Sequence, residues 1–153
     1  MKNGEHGGNG AALPPMRIGT HAAAAVVGGL GYNLIELMWR GHTHWTMFLL
    51  GGACFEAMGL IHRHMRRVPL AVRGAVCAGT VTVLELLCGC VVNLWLHMDV
   101  WDYSDVPFNI LGQVCPLYTG FWYVLGLLCC PVYRLVCAAL TFPHDGQISA
   151  SGH

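Results

Sequence analysis

Four long apolar stretches separated by polar connections set the pattern of this chain: Ile18–Trp39, Trp45–Ile61, Leu70–Leu96 and Val114–Leu140. A helix that crosses a bilayer needs about 20 mainly apolar residues. Trp45–Ile61 is the shortest and must borrow turns from its flanks. Formal charges inside the stretches are few, namely Glu36, Glu56, Arg73, Glu85 and Arg134. The pattern predicts an all-α membrane protein with four transmembrane helices within residues 18–140. Residues 1–17, rich in Gly and polar residues up to Pro14-Pro15, and residues 141–153 read as flexible tails. The first stretch begins like a signal sequence, with Arg17 before Ala22–Ala25, but its apolar run continues to Trp39 and is too long for one.

Basic residues predict the orientation. With an even number of spans, Lys2, Arg17, Arg63, Arg66, Arg67, Arg73 and Arg134 fall on the side of the termini, against Arg40 alone on the other. Basic residues favour the cytoplasmic side, so both termini are expected there, in a cell membrane. The Arg40–Trp45 and His97–Gln113 loops then face outward. A repeat is also expected. Leu34-Ile35-Glu36-Leu37 resembles Val83-Leu84-Glu85-Leu86, and Leu50-Gly51-Gly52-Ala53-Cys54 resembles Leu111-Gly112-Gln113-Val114-Cys115. The order and the shared starting side point to two parallel-repeat helical hairpins.

Composition agrees with a lipid-facing surface: 55% of residues are hydrophobic and 10% charged, against about 25% charged in soluble domains. The net charge is zero, so no global basic field exists for nucleic acid. Most of the eight cysteines, including Cys54, Cys77, Cys88 and Cys129, lie in apolar runs and read as small hydrophobes. No Cys-x-x-Cys pair occurs.

Carboxylates inside a span are costly, about 2.5–3.5 kcal/mol on an insertion scale, and usually face a bundle interior or wet cavity. Glu36 and Glu85 occupy matching places in the two halves. Asn33, Glu36 and Arg40 share a helix face, as do Glu85, Gly89 and Asn93 at i, i+4 and i+8. Two readings stand: a structural pair of Glu36 with Arg40 beside a hydrogen-bonded Glu85, or a substrate or proton site. Glu56 is expected to pair with a basic residue near the inner face. The segment Val100–Asn109 holds Trp101, Asp102, Tyr103, Ser104, Asp105 and Asn109. It reads either as an interfacial turn with aromatic anchors or as a cap over the cavity holding Glu85. The candidate binding set is Glu36, Arg40, His44, Glu85, Asn93, Trp101, Asp102, Tyr103 and Asn109.

Other chemistries lack their parts. His42-x-His44 and His62-x-His64 would point apart on a helix and fall on opposite sides, so no metal site is expected. The His62–Arg67 run reads as a clamp for anionic lipid headgroups. No phosphate loop is present, the single lysine being Lys2, nor any Gly-x-Ser-x-Gly elbow. No cofactor is expected.

The chain resembles the ABC-transporter type IV permeases, a family also labelled CmpB-like. The likeness rests on Glu85-Leu86-x-x-Gly89-x-x-x-Asn93, then Trp101-Asp102-Tyr103-Ser104-x-x-Pro107-x-Asn109-x-x-Gly112-x-x-Cys115, then Trp122. It reaches the first half through Tyr32, Ile35-Glu36, Trp39-Arg40-Gly41, His44 and Trp45. The resemblance implies a multi-pass bacterial membrane protein of permease type, with a separate ATPase subunit as partner. The one segment open to such a partner is His62–Pro69. Four helices are few for a transport pathway, so a homodimer or larger complex is expected, with Gly74-x-x-x-Ala78 and Ala75-x-x-x-Gly79 as small-residue faces.

The leading expectation is a small transport protein or permease subunit with an outward-facing polar pocket. A membrane-embedded enzyme acting on a lipid, with Glu85 or Asp102 as acid/base beside His44, is the alternative. A structural or regulatory subunit is the third.

Overall fold

The computed structural model describes residues 18–141, so the expected tails lie outside the described residues apart from Thr141. Four helices follow in order: α1 (Ile18–Arg40), α2 (Trp45–His64), α3 (Leu70–Gly89) and α4 (Pro116–Thr141). A π-helical segment, Cys90–Trp95, continues α3. All four spans are long and apolar enough to cross a membrane, and no strand is present among the described residues. The protein is an all-α membrane protein. Its helix ends follow the apolar pattern closely, and the short second stretch does gain a turn, running on to His64.

Helix α1 packs chiefly on α2 and α3 on α4, with α2 bridging to both members of the second pair. Small residues permit the first contact. A β-carbon at Gly28 would strike Phe55 and the Gly51 carbonyl, and one at Gly51 would strike Tyr32. Gly74 and Gly126 play that part between α3 and α4, where a β-carbon on Gly126 would meet Cys77. The two small-residue faces of α3 therefore separate. Gly74 and Ala78 are buried within the chain, whereas Ala75 and Gly79 stay exposed. Ala24, Met47, Cys54, Cys77, Val81 and Tyr133 fill the centre. The cysteines are free, and all are buried or half-buried as small apolar side chains.

The two ends of the bundle differ. At one, Trp39, Trp45 and Trp95 are exposed around the helix ends, as aromatic residues are at a membrane–water interface. The long connection from α3 to α4 folds there. At the other end the α2–α3 connection is short because α2 absorbs His62 to His64. His62 is buried, and its Nε2 lies 2.7 Å from the Gly126 carbonyl. It is thus a helix-packing group, and the exposed basic run shrinks to Arg66, Arg67 and their neighbours.

The second sequence match of the repeat has no common conformation. Leu50–Cys54 lies inside α2, whereas residues 111–115 precede α4 and include left-handed Leu111 and Gly112.

Candidate functional site

The polar residues sort into a wall, a cap and an inner pair. Glu36 is buried near the end of α1. Its Oε1 accepts from Arg40 Nη1 at 3.1 Å, one helical turn on, and its Oε2 accepts from the Thr43 hydroxyl at 2.8 Å. Asn33 Oδ1 lies 3.1 Å from that hydroxyl. Arg40 also donates to the Val100 carbonyl, tying the end of α1 to the long loop. The local spacing thus makes the Glu36–Arg40 pair, and the α1–α2 turn completes its hydrogen bonds.

Glu85 lies deeper in the bundle, 3% exposed, so its partners decide what it can do. The Tyr32 hydroxyl donates to Oε1 at 3.0 Å, and the Trp122 indole donates to Oε2 at 2.6 Å. The donor rings stack at 5.5 Å. One carboxylate of α3 therefore fixes one ring of α1 and one of α4. Glu36 and Glu85, alike in sequence setting, differ in role: the first is held within its own hairpin, the second joins the two hairpins.

Asn93 organises the cap. Its amide donates to the Trp101 carbonyl at 2.9 Å and to Gln113 Oε1 at 2.7 Å, and its Oδ1 accepts from the Val100 backbone at 2.8 Å. Trp101 is buried, its indole donating to the Gln113 carbonyl. Gly89 gives Gln113 room, since a β-carbon there would collide with it. The loop returns through Tyr103 N–H to the Gly112 carbonyl and a bridge between Ile110 and Val114. Asn109 links Ser104, Val106 and Gly112. Asp102 is exposed and accepts from the Ser104 hydroxyl and backbone N–H, which hold its carboxyl below the ordinary range. Tyr103 lies half-buried on Tyr118, ring centroids 4.4 Å apart, and burial raises its hydroxyl pKa.

Between α1, α4 and this loop lies a cleft of about 450 Å³. Glu36 and Arg40 line it with Tyr32, Trp39, Tyr103, Tyr118, Phe121 and Trp122. Of the sequence candidates, Glu36, Arg40 and Tyr103 face the cleft directly. Glu85 sits behind the rings of Tyr32 and Trp122. Asn93, in the π-helical segment, fastens the loop that Trp101 and Asn109 help to build, while Asp102 lies exposed on it. His44 caps α2, its Nδ1 2.8 Å from the Thr46 hydroxyl, and does not line the cleft. Tyr118 and Phe121 were not among the candidates. Their signal was the spacing Tyr118, Phe121, Trp122, Leu125, an aromatic stripe on one face of an apolar helix.

A family model described as "Putative ABC-transporter type IV" matches residues 26–148. The chain belongs to that family. The match takes in both carboxylates, Asn93, the loop and the aromatic stripe of α4, so the family region includes the whole cleft. Neither the curated proteins nor the solved structures contain a match.

A third polar group lies toward the other end. Glu56 Oε2 accepts from His21 Nδ1 at 2.8 Å and from the Tyr133 hydroxyl at 3.3 Å. Here Glu56 finds its basic partner on α1. Among the described residues, no cluster of His, Cys, Asp and Glu is arranged to hold a metal ion.

Proposed function

We propose that this chain is a small membrane transport protein, a permease subunit whose substrate enters the cleft between α1 and α4. The observation that carries the reading is the cleft itself: about 450 Å³, walled by aromatic rings, with the Glu36–Arg40 pair at its polar end. Ligand sites are concave and mostly apolar, with a few placed polar groups. Family membership supports a transporter-related role. The basic residues near the short α2–α3 connection support a cytoplasmic position for that end and an outward position for the cleft. Four helices give few surfaces for alternating access, so the working unit is a homodimer or larger complex. Arg66 and Arg67, exposed within that connection, are the contact offered to an ATPase subunit.

A lipid-directed enzyme is the second reading, and the exposed rim of the cleft favours it to this extent: Trp39, Phe121 and Val124 open toward the lipid side. The groups such chemistry would use are dispersed, however, with His44 capping α2 and Asp102 on the outer face of the loop.

The test is to compare the small molecules and lipids that co-purify with the full chain and with Val124→Trp, a substitution on the exposed wall of the cleft. Native mass spectrometry should find a species held by the first and lost from the second. Identical bound species in both would count against the cleft as the substrate site.

A further inference from the structure

A second cavity adjoins the first. It measures about 220 Å³ and runs between α1, α2 and α4 from Tyr32 and Trp122 to Leu128 and Val132. Both cavities share Tyr32, Ile35, Trp122 and Leu125 in their walls. The stacked pair Tyr32–Trp122 marks their junction. The lower cavity is lined by apolar residues and glycine apart from Tyr32, Trp122, Cys54 and Cys129, and it contains no formal charge. Along α4 the combined lining runs from Tyr118 to Val132, roughly 20 Å at 1.5 Å per residue. Leu128 and Val132 are half exposed to the lipid side, so the seam is open laterally.

The two chambers differ in chemistry in the way the two ends of an amphiphile differ. A long apolar groove suits an alkyl tail. In the upper chamber, six aromatic rings surround the space: Tyr32, Trp39, Tyr103, Tyr118, Phe121 and Trp122. Aromatic faces attract cations, and alkylammonium groups above all. The charge placement acts in the same direction. The wall holds one carboxylate, Glu36, and one guanidinium, Arg40, paired with each other. Arg40 is already committed to Glu36 and to the Val100 carbonyl. An anionic head would meet Glu36 beside the arginine it sought. Tyr32 and Trp122 both donate to Glu85, and such donation polarises the donor groups toward greater electron density on the rings.

Resting on the cleft reading above, we infer that the substrate is an amphiphile with an ammonium head and one alkyl or acyl tail. Its head sits among the rings beside Glu36, and its tail descends along α4 past Trp122. It enters sideways from the bilayer between α1 and α4. A zwitterionic lipid and a free lipophilic amine share this chemistry, and the choice of head in the test separates them.

The full chain in maltoside micelles is titrated with dodecyltrimethylammonium, dodecylphosphocholine and dodecyl phosphate, and adducts are counted by native mass spectrometry. One ammonium-bearing adduct per chain is expected, about tenfold tighter than dodecyl phosphate. Tighter binding of dodecylphosphocholine assigns a lipid headgroup, and tighter binding of dodecyltrimethylammonium assigns a free amine. Glu36→Gln should reduce or reverse the preference over dodecyl phosphate by freeing Arg40. Trp39→Leu, on the exposed rim and so safe for folding, should weaken the ammonium probes about tenfold. Leu128→Trp should weaken dodecyltrimethylammonium while sparing butyltrimethylammonium. Equal affinity for all three heads, or indifference to both Glu36→Gln and Trp39→Leu, overturns the ammonium assignment and leaves the cleft as a site. No saturable adduct with any head overturns the cleft reading with it.

Discussion

Glu85 shows at the scale of one residue what the interior demands. Two donors, Tyr32 and Trp122, aim at its oxygens, and neither donates a hydrogen bond elsewhere among the described residues. Replacing it by leucine leaves both donors orphaned, at about 1–3 kcal/mol each. Glutamine keeps an oxygen for the Trp122 indole and can turn its amide toward the Tyr32 hydroxyl, which is able to accept. We therefore expect Glu85→Leu to lose several kcal/mol, and Glu85→Gln much less, in thermal or denaturant unfolding of the detergent-purified chain. Equal loss for the two would mean that packing volume matters at this position more than hydrogen bonding. The sequence made Glu85 legible as a buried, partnered carboxylate because charge inside an apolar span is rare. Its partners were not legible, since they come from α1 and α4 and no local spacing encodes them. The Glu36–Arg40 pair was legible, because i and i+4 are neighbours on any helix.

The same division holds for whole elements. Apolar length alone placed four helices to within a few residues at most ends, but the close contacts at Gly28, Gly51 and Gly126 were not legible, because no local spacing says which glycine meets a neighbouring helix. The π-helical segment Cys90–Trp95 had no sequence signal. Its effect is nonetheless definite: it brings Asn93 to the base of the loop, where three hydrogen bonds fasten residues 93, 100, 101 and 113 together. His97, Asp99, Phe108 and Leu111 adopt left-handed backbone that non-glycine residues seldom choose. A chain bent in this way needs firm anchors. Asn93→Asp replaces a double donor by an acceptor facing the Trp101 carbonyl and Gln113 Oε1, costing about 1–3 kcal/mol for each unpaired group. Hydrogen exchange should rise across residues 96–113 and stay unchanged in α1 and α2. A rise spread evenly over the four helices would mean that Asn93 holds the bundle and not the cap. Gly51→Leu should do the opposite. Its side chain must displace Tyr32 and separate α1 from α2, loosening the bundle while the loop bonds persist.

At the scale of the molecule, the bundle carries its charges unequally, and that asymmetry is what orients a membrane protein during insertion. Arg63, Arg66, Arg67, Arg73 and Arg134 belong to the end where α2 turns into α3, and Arg40 alone to the end that carries the cap. Arg40 counts for less than a free cation would, because Glu36 neutralises it and the Val100 carbonyl holds it in place. Exposed Trp39, Trp45 and Trp95 ring the capped end, and aromatic side chains of this kind favour the boundary between headgroups and hydrocarbon. Phe108, Ile110 and Leu111, exposed on the loop, extend that apolar rim. A reporter fused after His153 should accordingly read as cytoplasmic, and a cysteine placed at Asp105 should react with an impermeant thiol reagent from outside the cell. The exposed Asp105 is suited to this, lying in the loop away from the buried Trp101. Removing Arg66 and Arg67 together should weaken the bias and give a mixed population, since these two stand in the short connection where basic residues count most. Full external labelling in cells, combined with a silent cytoplasmic reporter at the C-terminus, would require an odd number of spans. Labelling confined to broken cells would place the cap, and with it the aromatic cleft, on the cytoplasmic side. The substrate would then be drawn from the inner leaflet, and the cleft would serve export from that leaflet instead of capture from outside.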